Sequence, residues 1–249
     1  MSKNDPYVVG LIPARSGSKG IEHKNLLQLE GLPLIAWSIQ ASLKSITIDR
    51  TIVSTDSKEY ANIAESLGAE VPFLRPQEIS NDASTDYEFV AHALSFFETE
   101  GRIPDYIVHL RVTTPIRRPD VIDEAVNAMI NSKKFTSLRS IQQDSESAYK
   151  HFEMSSEGNL LTIFEKKPEL DNSNNARQNF PSTFSANGYV DVLISDYIRT
   201  NRKIHGNKVM AFQTEPVQEV DTIDDFHLLQ SQVSNNPKIV ANLFGGTDV

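Results

Sequence analysis

Apolar and polar positions alternate in blocks along this chain. Tyr7 to Ala14 is an almost unbroken apolar run, which predicts a strand covered on both faces, as in a parallel sheet. Pro33 to Ser45 has helical spacing, with Leu34, Trp37, Ile39 and Leu43 on or near one side. Arg50 to Thr55 predicts a second strand with Asp56 at its carboxyl end, and Glu59 to Leu67 a helix that Gly68 ends. Val71 to Leu74 suggests a short strand leading into Arg75. Asp86 to Glu100 is strongly helical through Phe89, Val90, Ala93, Leu94 and Phe97, and His92 reads as a satisfied or exposed helix histidine. Asp105 to Leu110 and Phe135 to Ile141 are strands, with an amphipathic helix over Asp120 to Asn131 between them. Asn187 to Ile194 and Val209 to Phe212 add two more strands. A closing helix over Asp224 to Val233 has Thr222 as its cap.

Alternating strands and helices over this length predict an α/β fold: a mostly parallel mixed sheet flanked by helices. Ligands of such sheets collect at the carboxyl ends of the strands. That rule gathers the Arg15–Lys24 loop, Asp56, Arg75 and the Arg111–Arg117 loop on one edge. The stretch from about Gln142 to Phe184 breaks the pattern, being polar and aromatic with a run of turn residues at Asp171–Asn175. It is an insertion in a single domain spanning residues 1–249, and the pattern alone reads as a large surface excursion. The tail from Lys238 carries Val240, Leu243 and Phe244 and is expected to pack.

The 249 residues carry a net charge of −9 and no cysteine. The acidic balance argues against nucleic acid as a partner, which needs a basic face. The lack of cysteine removes disulfides, thiolate nucleophiles and thiolate metal sites. No apolar run reaches membrane length and the first residues lack an apolar signal core, so the expectation is a soluble cytoplasmic protein with no membrane partner.

The chemistry concentrates after the first strand, in Pro13-Ala14-Arg15-Ser16-Gly17-Ser18-Lys19-Gly20-Ile21-Glu22-His23-Lys24-Asn25. A glycine- and serine-rich turn between a strand and a helix exposes backbone N–H groups to an anion, and Arg15, Lys19 and Lys24 add charge that a polyphosphate would neutralise. The spacing is neither G-x-x-x-x-G-K-[ST] nor G-x-G-x-x-G. The plainer alternative is a polar connection with solvated lysines.

With Ile12 before it, this loop resembles the signature of the CMP-sialic acid synthetase (acylneuraminate cytidylyltransferase) family. The resemblance continues at Ile52-Val53-Ser54-Thr55-Asp56, Leu74-Arg75-Pro76, Thr113-Thr114-Pro115-Ile116-Arg117, Asn187-Gly188 and Asp221-Thr222, in the family's order over nearly the whole chain. It implies a nucleotide-diphosphosugar transferase-like fold. The activity it implies joins CTP to a 3-deoxy-2-ulosonic acid, giving the CMP-sugar and pyrophosphate. The alternatives are a different sugar or nucleotide on the same fold, a legionaminate-like acid for example, or a nucleotide-binding protein without turnover.

The resemblance also implies roles. Arg15, Ser18 and Lys24 would contact the triphosphate, with Lys19 and Asn25 nearby, and Arg75 would serve the base and ribose. Asp86 falls where the family usually has serine, and either accepts from the cytosine amino group or caps the helix starting there. Glu219 and Asp221 share one side of an extended segment and suit Mg²⁺ or Mn²⁺, although the family has Asp at both positions. In the sugar pocket Arg111 replaces the family's glutamine, and Ser185-Ala186-Asn187-Gly188 lacks the arginine before its Pro-Asn-Gly. Arg177 is kept. Arg111 is therefore expected to take part of the sugar carboxylate's recognition, as a guanidinium pairs a carboxylate at two points. The 142–184 segment becomes a dimerisation arm, with Lys150 offered to the neighbour's site in a homodimer.

Overall fold

The computed structural model describes residues 5–18, 20–164 and 170–245. In chain order the strands are β1 (Val8–Pro13), β2 (Gln28–Leu29), β3 (Leu32–Pro33), β4 (Arg50–Ser54), β5 (Tyr106–His109), β6 (Ser137–Gln143), β7 (Phe152–Met154), β8 (Leu160–Thr162), β9 (Phe184–Ile194) and β10 (Val209–Gln213). The α-helices are α1 (Leu34–Leu43), α2 (Lys58–Ser66), α3 (Asp86–Glu100), α4 (Pro119–Ile130), α5 (Ser195–Asn201), α6 (Ile223–Ser234) and α7 (Lys238–Phe244).

Six strands form one sheet in the order β10-β6-β9-β5-β1-β4. β1 runs parallel to β4 and β5, β10 runs parallel to β6, and β9 alone is antiparallel to its neighbours β5 and β6. The mixed, mostly parallel sheet expected from the sequence is thus present. The unbroken apolar character of β1 has its cause in two cores. Val8 and Ile12 pack with residues of α1, α4, α6 and α7 on one face. Val9 and Leu11 pack with α3 and α5 residues on the other.

Helix boundaries follow local chemistry. α3 starts at Asp86 behind a capping box in which Thr85 and Glu88 satisfy each other's backbone N–H groups, and Gly101 closes it at φ 78°. Thr222 caps α6 in a second box with Asp225. The tail packs as helix α7, whose Phe244 meets the ring of Trp37 edge-on at 5.0 Å.

Three expectations change. Val71 to Leu74 is no strand: only isolated bridges, Glu70 to Ile52 of β4 and Leu74 to Thr55 just beyond it, tie the stretch to the sheet before the buried Arg75. Gln142 and Gln143 finish β6 and Phe184 opens β9, so the sheet consumes both ends of the inserted segment. Between them the small β7–β8 hairpin lies outside the main sheet. His92 is neither exposed nor satisfied: its ring stands edge-on to Phe73 at 4.8 Å, and its buried Nδ1 has no hydrogen-bond partner among the described residues.

Candidate active site

The carboxyl ends of β1 and β5 open on a cavity of about 370 Å³. Its wall is Pro13, Arg15, Ser18, Gly20, Lys24 and Asn25 from the first loop, Arg111, Val112 and Thr113 from the loop after β5, and Asp221 from the segment before α6. The loop holds its shape through its own polar groups. Asn25 Nδ2 donates to Arg15 O at 2.9 Å. Asp56 accepts from Ser16 N at 2.7 Å and from Ser16 Oγ at 2.9 Å, which ties the loop to the end of β4. A Cβ at Gly20 would stand 2.9 Å from Asp221 O, so the bare glycine lets the loop lie against the Asp221 segment.

Each cation of the cavity meets an acid from another part of the chain. Lys24 Nζ donates to Asp221 Oδ1 at 3.0 Å, Arg15 Nη2 to Asp82 Oδ1 at 2.7 Å, and Arg111 Nη2 to Asp86 Oδ2 at 2.6 Å. Asp86 thus does something neither expectation foresaw. Thr85 caps α3, and the Asp86 carboxylate holds Arg111. Burial pushes the Asp86 carboxyl up, and the charge and hydrogen bond of Arg111, with Arg139 behind it, outweigh that and hold its pKa below the ordinary value.

Behind Arg111 lies a cross-strand row of polar groups, with His109 and Asp191 buried and Arg139 partly exposed. His109, Asp191 and Arg139 occupy adjacent positions on β5, β9 and β6. Asp191 Oδ2 is 3.8 Å from Arg111 Nη2, and Oδ1 is 3.9 Å from Arg139 Nε. Burial raises the Asp191 pKa to about 6 against the pull of Arg111 and Arg139. Burial lowers that of His109 to about 3.

The other expected residues are dispersed. Arg75 is buried, with Nε on Ser54 Oγ at 3.0 Å, Nη2 on Ser54 O at 2.5 Å and its guanidinium over the Phe89 ring at 5.0 Å. Burial brings its pKa down to about 10. Glu219 Oε1 accepts from Thr113 Oγ1 at 3.0 Å, and the Val220 N–H between the two acids donates to Thr113 O at 2.7 Å. Glu219 therefore sits one hydrogen bond behind the cavity wall while Asp221 is on it. Asn187 is buried with Nδ2 on Thr214 Oγ1 at 2.7 Å, off the cavity wall. Arg177 Nη2 reaches Asp144 O at 3.3 Å beside a separate cavity in the inserted segment. Lys150 pairs with Glu146 at 3.3 Å. Neither lines the main cavity of its own chain. Lys19 lies outside the described residues.

Residues 9–231 match the sequence pattern of the cytidylyltransferase family. This chain belongs to that family. Among other members, CMP-N,N'-diacetyllegionaminic acid synthase of Legionella pneumophila is 34% identical over 211 residues, 85% of this chain and 84% of that protein. N-acylneuraminate cytidylyltransferase of Escherichia coli is 39% identical over 141 residues, 56% of this chain and 32% of that protein. The match thus spans about a third of the length of the Escherichia coli relative. A solved CMP:2-keto-3-deoxy-manno-octonic acid synthetase complexed with CTP superposes with a TM-score of 0.69 at 15% identity, over 92% of this chain and 99% of that one, a likeness of fold. The fold of this cytidylyltransferase-family chain brings Arg15, Ser18, Lys24, Asn25, Arg111 and Asp221 around one cavity. Sequence reasoning did not single out Asp82 as Arg15's partner, nor Asp191 and His109 behind Arg111. All three are common residue types whose neighbours come from distant parts of the chain.

Proposed function

We propose that this chain catalyses transfer of the cytidylyl group from CTP to a 3-deoxy-2-ulosonic acid. The anomeric hydroxyl attacks the α-phosphorus. The bond from that phosphorus to the bridging oxygen breaks, pyrophosphate leaves, and the hydroxyl proton passes to solvent. The observation that carries this reading is the cavity at the exit of β1, where Arg15, Ser18, Lys24 and Asn25 face Asp221 and Arg111. Arg15 and Lys24 neutralise the pyrophosphate as charge builds on it, and the loop orients the phosphates in line with the incoming hydroxyl. Arg111, steadied by Asp86, stands at the far wall as a donor to the sugar acid.

Mg²⁺ or Mn²⁺ belongs to this reading. Asp221 presents a largely exposed carboxylate to the cavity and Glu219 a second one hydrogen bond behind it, an oxygen donor set suited to such ions. Among the described residues no three acidic or histidine groups converge, so nucleotide phosphate oxygens would supply further ligands. The bound ion would neutralise phosphate charge and acidify the sugar hydroxyl.

The reading includes a homodimer acting in the cytoplasm, where CTP is made. Met154, Phe164 and Leu160 are 76%, 54% and 45% exposed on the inserted segment, apolar surface that supports burial against a second copy. Lys150 and Arg177 stay away from their own cavity, which supports a role at the partner's. No helix among the described residues is long and apolar enough to cross a membrane.

The test is pyrophosphate release with CTP and Mg²⁺ across a panel of ulosonic acids, repeated with the other three nucleoside triphosphates. The panel includes a legionaminate-like acid, because the Legionella pneumophila relative is 34% identical over 85% of this chain. Binding of CTP without pyrophosphate release from any acid would overturn the proposal in favour of a nucleotide-binding protein.

A further inference from the structure

We infer that Arg117 is a positioning residue that fixes Arg111 against the cavity from two sides. The inference rests on the proposed reading of the cavity and deepens it. Arg117 is 1% exposed. Its Nε donates to Tyr189 O at 2.5 Å and its Nη1 to Ser38 Oγ at 2.9 Å. Its Nη2 donates to both Arg111 O at 2.6 Å and Gly188 O at 2.9 Å. All four acceptors are neutral, and no carboxylate forms an ion pair with it among the described residues.

A buried guanidinium without a counter-ion is costly, and an apolar side chain of similar volume would fill the space without that cost. An apolar side chain would not tie four acceptors from α1, β9 and the loop after β5 to one rigid plane. Two of those acceptors frame Arg111. One is its own carbonyl. The other belongs to Gly188, at φ 64°, where a Cβ would stand 3.0 Å from Arg111 Cδ and 2.9 Å from Thr114 Oγ1. The Arg111 stem therefore lies on the bare Gly188 backbone. One nitrogen of Arg117 sets the separation between the Arg111 backbone and the floor beneath its side chain. With stem and backbone fixed, the guanidinium reaches Asp86 at 2.6 Å, and Arg111 forms part of the cavity wall.

The test compares wild type with Arg117→Lys, Ser38→Ala, Arg111→Ala and the double variant R117K/R111A. Steady-state constants are measured for CTP and for the acid that wild type turns over, together with hydrogen exchange of the folded proteins. Lysine keeps the charge and loses the fork. Arg117→Lys is expected to lower kcat/KM for the sugar acid by about 100-fold, the scale of a misplacement near 1 Å. The KM for CTP should stay within about threefold, since its loop is separate. In the Arg111→Ala background the same lysine should cost nothing further. Exchange should quicken over 110–118 and 186–190 and leave β1 protected. A full additive loss in the double variant, or a folded Arg117→Lys with an unchanged kcat/KM for the sugar acid, overturns the inference. If Arg117→Lys does not fold, Ser38→Ala carries the same comparison with a smaller factor. If wild type turns over no ulosonic acid, the substrate reading fails alone. Exchange then decides the positioning role: acceleration confined to those two segments supports it, and unchanged exchange overturns it.

Discussion

Lys24 Nζ and Asp221 Oδ1 stand 3.0 Å apart across 197 residues of sequence. The pair joins the exit of β1 to the segment before α6 and closes the cavity on one side. The proposed reaction gives each member another partner, phosphate for the lysine and a divalent ion for the acid, so the ion pair opens when the substrate complex forms.

Removing either member should separate these tasks. Lys24→Met is expected to raise the KM for CTP by about 10- to 100-fold, the worth of a hydrogen bond to a charged group. Asp221→Asn should lower kcat by about 100-fold, the scale for losing one transition-state electrostatic contact. It should also weaken the Mg²⁺ dependence seen in a metal titration. An Asp221→Asn enzyme with an unaltered metal titration would contradict the ligand role.

Arg111 reaches Asp86 at 2.6 Å, so its charge is partly spent inside the protein. The residue also lines the cavity. Arg111→Ala should raise the KM for the sugar acid far more than that for CTP. Equal rises in the two constants, measured by pyrophosphate release, would sink its role as a carboxylate donor.

Gly10 sets the packing of β1 on α1. A Cβ there would run into Ser42 Oγ, which is already hydrogen-bonded to Thr51 Oγ1 at 2.7 Å. Gly10→Ala should destabilise the fold by about 1–3 kcal/mol through overpacking. Urea unfolding measures it, and a neutral result would show that α1 can shift outward at little cost.

Acid should weaken the fold through His109. Burial keeps its imidazole neutral in the folded chain down to about pH 3, whereas the unfolded side chain takes up its proton near 6.5. The unfolded state then binds more protons between those values, and stability falls as pH drops from 6.5 toward 3. Asp191 works in the opposite sense. Its folded pKa near 6 lies above the unfolded value of about 3.9, so its contribution is present at low pH and is lost as pH rises through 6. Thermal unfolding from pH 7 to 4 should show a shallower acid decline in His109→Gln and a steeper one in Asp191→Asn.

Much of the fold was legible because its signals are local. α3 begins at Asp86 and ends at Glu100 as its periodicity predicts, since the Thr85–Glu88 box and Gly101 bound it within the helix's own neighbourhood. The antiparallel direction of β9 was not legible. Its residues read as strand either way, and direction comes from the path of the preceding 142–183 segment. The short helix α5 had no periodic signature long enough to separate it from the end of β9.

By itself the sequence determined the apolar alternation that builds the sheet and its helices, the cationic loop after β1 and the family to which the chain belongs. Those are properties of spacing, written within a few residues of each other. The tertiary structure alone decided the pairings: Asp86 on Arg111, Glu219 behind Thr113, and Arg117 clasping Gly188. Charged and hydrogen-bonding groups choose partners by distance in space, and these partners lie 25, 106 and 71 residues apart along the chain.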